Sequence, residues 1–117
     1  MGRGERPRGD SRRALVNRGA IFWLDLEDEG RRPVCILTRD AAIPSLRNVV
    51  VALVTTRIRG LVSEVLLGLE DGVPRECAIS LDNVRTVPKV QLTEEITRLG
   101  PDRIDELCRA LASANGC

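Results

Sequence analysis

The 117-residue sequence predicts a mainly β fold, a small and partly open antiparallel barrel closed by a single C-terminal helix. Three observations predict it. Short apolar and β-branched runs recur between Ala20 and Val87, separated by Gly, Asp, Asn and Pro. The run from Asn48 to Thr55 is apolar on both faces, as a central strand is. Near the C-terminus the period changes, with Ile104, Leu107, Cys108, Leu111 and Ala112 recurring at the spacing of one helical face. A chain of this length buries a core without needing a disulfide or metal, and one domain is its natural organisation.

The elements follow in order. Residues 1–17 are poor in apolar side chains and punctuated by Gly, Pro and Arg, which predicts a basic, flexible arm ahead of a domain spanning 18–117. Such an arm is either a solvated tail or a nucleic-acid-binding extension. Ile21–Leu24 is the first strand and ends in the acidic turn Glu27-Asp28-Glu29-Gly30. Phe22 and Trp23 face opposite sides of it, with Phe22 the expected core residue. Pro33 can open the next strand, which continues through Val34 to Leu37. The central strand comes next, then a loop at Arg57-Ile58-Arg59-Gly60. Ser63–Leu69 and Arg75–Ile79 flank Glu70-Asp71-Gly72 and form a hairpin. Ser80-Leu81-Asp82-Asn83 reads as a turn, and Val84–Val87 as a last short strand. The helix runs over 101–114, with Pro101 in its first turn and Asn115-Gly116 as its stop.

Composition narrows the chemistry. The longest apolar run, Val49–Val54, is far below the roughly 20 residues of a membrane helix. The Arg-rich N-terminus has no apolar stretch of the kind a secretory signal carries, so a cytoplasmic protein is expected. Cys35, Cys77, Cys108 and Cys117 contain no C-x-x-C pair and histidine is absent, which argues against a zinc site. Free thiols are expected, with Cys35 and Cys108 in the core. Without histidine, the usual acid–base group at neutral pH, proton transfer would fall to carboxylates, arginine or water. Net charge is only +1, but residues 1–19 hold six arginines against Glu5 and Asp10, and the remainder is acidic on balance.

Arg32 and Thr55 are the candidate chemical residues. Gly30 and Pro33 fix the backbone around Arg32, whose planar guanidinium suits a phosphate. Thr55 ends the central strand. If that strand pairs antiparallel with the one Arg32 opens, both side chains lie at one end of the sheet and can hold a phosphodiester between them. Arg31, Arg57 and Arg59 can extend the site into a basic groove if their loops meet there.

The order G-R-R-P plus strand (30–37), V-V-V-A-L-V-T-T (49–56), D-N-V-R-T-V (82–87) and a final helix resembles the MazF/PemK-type toxins over residues 18–114. These are endoribonucleases, often called mRNA interferases, of type II toxin-antitoxin systems. The resemblance implies an SH3-like barrel of the MazF/CcdB-like toxin fold. It implies metal-independent, cofactor-free, sequence-specific cleavage of single-stranded RNA, leaving 2′,3′-cyclic phosphate and 5′-hydroxyl ends. By the same resemblance Arg32, Thr55 and Glu27 are catalytic. Arg31, Arg57, Arg59 and Asn83 are the residues expected to contact RNA. The implied partners are a second copy of the chain and a MazE-like antitoxin that presents an acidic, extended segment.

The chain departs from the family pattern in its short Leu26–Gly30 loop, in Cys77 where serine is common, in Asn83 where glutamine is usual, and in Pro88. Two other classes compete. A CcdB-type gyrase poison shares the fold but needs a tryptophan near the C-terminus, whereas Trp23 is the only one here. A non-catalytic, partner-binding barrel would have no need of both Arg32 and Thr55.

Overall fold

A computed structural model of the chain describes residues 16–116. Most of the expected arm, residues 1–15, lies outside the described residues, as does Cys117. Six strands form one antiparallel sheet: β1 (Ala20–Leu26), β2 (Gly30–Ile36), β3 (Asn48–Thr55), β4 (Glu64–Leu67), β5 (Cys77–Pro88) and β6 (Leu92–Arg98). Helix α1 (Pro101–Asn115) follows. The strand order is β4-β5-β3-β2-β1-β6, which makes β3 a central strand as its composition requires. The sheet curls into a half-barrel, the SH3-like architecture expected, and carries buried side chains on both faces.

Alternation along the strands divides the core in two. Ile21, Cys35, Ala52, Val54, Val65 and Ile79 pack on the face that receives Leu107 and Ala110 of α1. Phe22, Leu24, Val34, Ile36, Val49, Val51 and Leu53 pack on the other. Phe22 is therefore core, and Trp23, one residue on, is only half-buried. Burial pushes the Cys35 thiol up to about 12. Val16 is already buried in the second cluster, so the packed unit includes it.

Three expectations are corrected and one element is added. Pro33 does not open β2 but sits inside it opposite Trp23, where it is tolerated because the ladder to β3 starts only at Val34. Ser80–Asn83 is not a turn. It lies within β5, at a bulge where Leu81, Asp82 and Asn83 are extra residues relative to β3. The turn-forming side chains satisfy the bulge instead: Ser63 Oγ donates to Asp82, and Asn83 Nδ2 donates to Ser80 Oγ at 2.8 Å. The helix has the expected length, but its buried stripe is rotated toward Leu107 and Ala110, leaving Cys108 and Ala112 exposed. Apolar residues at 104, 107, 108, 110, 111, 112 and 114 allow either stripe by period alone. Finally, β6 was not anticipated. It pairs only with β1, and the charges that blunt this edge also obscure its alternation.

The hairpin between β4 and β5 turns through a 3₁₀ segment, Leu69–Asp71, and Gly72 in the left-handed region at φ 92°. A Cβ at Gly72 would lie 2.4 Å from Thr97 Oγ1, so the turn needs glycine for space as well as for angle. Asp71 anchors this turn to the helix. Its carboxylate accepts Gly68 N–H at 2.9 Å and both Arg103 Nε and Nη2, at 3.2 and 2.9 Å. The Arg103 hydrogen bond holds the Asp71 carboxyl below its ordinary value, against the opposing effect of burial.

A pKa lowered in the folded state gives stability that is complete above the ordinary carboxylate range and is lost as pH falls through the folded value. Asp71→Asn is expected to cost about 1–3 kcal/mol at neutral pH. The gap from wild type should narrow below about pH 4. Urea midpoints measured from pH 7 to pH 3 test this, and a gap constant over that range refutes it.

Candidate active site

The register of β2 and β3 builds the site. Val34 faces Leu53, Cys35 faces Ala52 and Ile36 faces Val51. Continued outward by two residues, this register sets Arg32 across from Thr55, on the same side of the sheet. Both residues line one cavity of about 520 Å³ together with Trp23, Pro33, Thr56 and Arg75. Ile21, Val54, Val73, Cys77 and Ile96 supply its apolar floor. Among the described residues no carboxylate lines it. Two guanidinium groups, two hydroxyls and an apolar base suit an anion attached to a larger organic ligand.

The Thr55 hydroxyl is oriented by its own chain. Its oxygen accepts the Arg57 backbone N–H at 3.0 Å. With that acceptor site engaged, the hydroxyl proton is directed elsewhere and can be donated to a ligand oxygen. Arg32 Nη1 lies 3.9 Å from Glu29 Oε1, and the same carboxylate oxygen lies 3.5 Å from Arg85 Nη1. Glu29 thus steers Arg32 from the β1–β2 turn without closing a tight bidentate pair.

The other predicted site residues are distributed around this centre. Arg31 stacks over Trp23, its Cζ 4.5 Å from the ring centroid, and reaches Glu94 at 3.4 Å. It therefore backs a cavity wall rather than forming one. Glu27 is exposed in the turn and does not line the cavity. Arg57 and Arg59 are exposed in the loop after Thr55. That loop is tied down by Glu64, whose Oε1 accepts N–H groups from Arg59, Gly60 and Leu61 at 3.2, 2.8 and 3.2 Å. Asn83 is engaged with Ser80 in the β5 bulge and lies outside the cavity lining. Sequence reasoning missed Glu29 and Arg75. Glu29 had no signal beyond its acidic turn, and Arg75 looked like the first residue of a strand. Cys77 lines the cavity with its thiol pushed up, first by burial and then by the negative charge of Asp71.

Fold and site together define a small β-barrel with a cationic, hydroxyl-bearing cavity at one end of its sheet. Residues 17–114 match the family described as the PemK-like, MazF-like toxin of type II toxin-antitoxin systems. The chain belongs to this family. It is 46% identical over 105 residues to a probable endoribonuclease, MazF5, of Mycobacterium tuberculosis, an alignment covering 89% of this chain and 96% of that one. Among solved structures it resembles the Mycobacterium tuberculosis toxin MazF-mt6 with a TM-score of 0.76 and 35% identity, over 83% of this chain and 96% of that one. It also resembles a mycobacterial endoribonuclease solved in complex with its cognate antitoxin, with a TM-score of 0.77 and 26% identity, over 87% of this chain and 96% of that one. Among the described residues no helix is long and apolar enough to cross a membrane.

Proposed function

We propose that this toxin is a cytoplasmic endoribonuclease that cleaves single-stranded RNA at specific sequences without a metal, acting as a homodimer. The observation that carries this reading is the meeting of Arg32 and Thr55 in one cavity that no carboxylate among the described residues lines. A phosphodiester seated there receives a guanidinium and an oriented hydroxyl. The adjacent ribose 2′-oxygen attacks phosphorus and negative charge builds on the non-bridging oxygens. Arg32 neutralises that charge and Thr55 donates a hydrogen bond to it. The bond from phosphorus to the 5′-oxygen then breaks, and that oxygen takes a proton from water, leaving a 2′,3′-cyclic phosphate and a 5′-hydroxyl. Glu27 is the proposed acceptor of the 2′-proton on the family resemblance, and it would have to reach the ribose from the exposed β1–β2 turn, outside the cavity lining.

Arg31, Arg57, Arg59 and Asn83 are proposed to hold the flanking RNA and select bases by hydrogen bonding. Trp23, braced by Arg31, is the one aromatic ring placed to receive a base. The proposed inhibitor is a MazE-like antitoxin whose acidic, extended segment offers spaced anions to the same cations. The arginine-rich stretch ahead of Val16 is proposed to act as a basic extension of the domain that follows.

The test is incubation of a long single-stranded RNA with the protein in EDTA, followed by end-group analysis. Discrete cuts bearing cyclic phosphate and 5′-hydroxyl ends are the expected result. Failure of the folded protein to cut would overturn the reading in favour of a gyrase poison or a binding-only barrel, and a supercoiling assay would separate those two.

A further inference from the structure

We infer that Arg75 is a second phosphate-binding residue, holding the phosphate next to the scissile one and so fixing the path of the RNA across the cavity. This rests on the ribonuclease reading above. Arg75 is delivered by a segment unrelated in sequence to Arg32 and Thr55, yet lines the same cavity. Its backbone is pinned on both sides. Val73 and Cys77 are each only 5% exposed, and Pro74 fixes the chain between Val73 and Arg75. The next residue, Glu76, lines a different cavity, with Glu64, Glu70 and Glu106, and is not among the residues lining this one.

Ion pairing or position separates Arg75 from the other arginines near it: Arg57 and Arg59 lie outside the cavity lining, and the rest are paired. Arg31 is paired with Glu94, Arg32 and Arg85 with Glu29, and Arg103 with Asp71 and Glu106. Among the described residues Arg75 has no such partner. An exposed arginine ordinarily stays solvated and does nothing specific. This one is unneutralised, anchored, and part of the lining of a cavity that no acid among the described residues lines and that is larger than one phosphodiester group requires. The scissile phosphate occupies Arg32 and Thr55, and the strand necessarily carries a further anion to either side. A contact to that anion positions the strand but carries no base information. It is therefore expected to add affinity for every sequence alike.

The experiment compares full-length wild type, Arg75→Gln and Arg75→Lys on a short RNA containing the cut site. Binding is read on a copy with a 2′-O-methyl group at the scissile ribose, and cleavage on the unmodified strand. Arg75→Gln is expected to weaken binding about tenfold and to lower kcat/KM by the same factor. The slope of log affinity against log salt should fall by about 0.7, the loss of one single-strand phosphate contact. Arg75→Lys keeps a cation and should recover the slope. A salt slope unchanged in a folded Arg75→Gln overturns the inference while wild-type cleavage stands. A fall in kcat/KM far beyond the loss of binding also overturns it, by placing Arg75 on the reacting phosphate. Wild type that neither binds nor cuts RNA overturns the ribonuclease reading and this inference with it.

Discussion

Arg32→Ala is expected to lower RNA cleavage by about 10²–10³-fold, the usual effect of removing one preorganised donor from a developing charge. The loss should appear in kcat more than in binding, because the guanidinium's largest gain comes when charge accumulates on the phosphorane. Stability should change little. Arg32 lies outside both core clusters, and its contact with Glu29, at 3.9 Å between partly exposed side chains, is of the kind that contributes little to folding. Arg32→Lys should recover only part of the rate, since an ammonium carries the charge but not the planar fork. Thr55→Val preserves strand shape and removes the hydroxyl, and it belongs beside Arg32→Ala in the same single-turnover assay. A rate within a few-fold of wild type for Arg32→Ala, with the fold intact, would remove Arg32 from the chemistry.

That prediction draws on a pairing the sequence made legible. The β-branched run Asn48–Thr55 and the G-R-R-P phrase locate two strands, and antiparallel pairing alone brings their Thr55 and Arg32 ends together. The strongest periodic signals were thus also the ones that position the site. What stayed hidden depended on long-range contacts. Arg75 belongs to the cavity only because β5 pairs with β3 through Thr55 and Ala78, and nothing local in Val73-Pro74-Arg75 says so. Glu29 and Glu27 are alike as sequence, and only the geometry of the turn and the position of Arg85 distinguish them. The Ser80–Asn83 segment carries real turn propensity. It became a bulge because pairing to β3 on one side and to β4 on the other overrides a local preference. Cys108 falls outside the buried stripe because several apolar residues on α1 permit two stripes, and the sheet surface selects between them.

Phe22→Ala should produce the largest loss of stability of any substitution outside the site, about 3–5 kcal/mol. Phe22 is 1% exposed and packs among Leu24, Val34, Ile36, Val49, Val51 and Leu53. The size of the effect follows from how little the surroundings can relax. Phe22 is paired to Val34 on one side and to Glu95 on the other, so the strand cannot move inward to fill the vacated space. Set against a total stability of about 5–15 kcal/mol for a domain of this kind, such a loss leaves the fold marginal. Trp23→Ala is the informative neighbour. Trp23 faces the cavity and is half-buried, so its removal should cost less in folding and more in RNA affinity. Adjacent residues on one strand would then separate stability from function by the face they point to. Urea denaturation measures the first effect, as a fall in midpoint at constant slope. A cost below about 1 kcal/mol for Phe22→Ala would mean that the second cluster is not a close-packed core, since cavities in such cores do not form so cheaply.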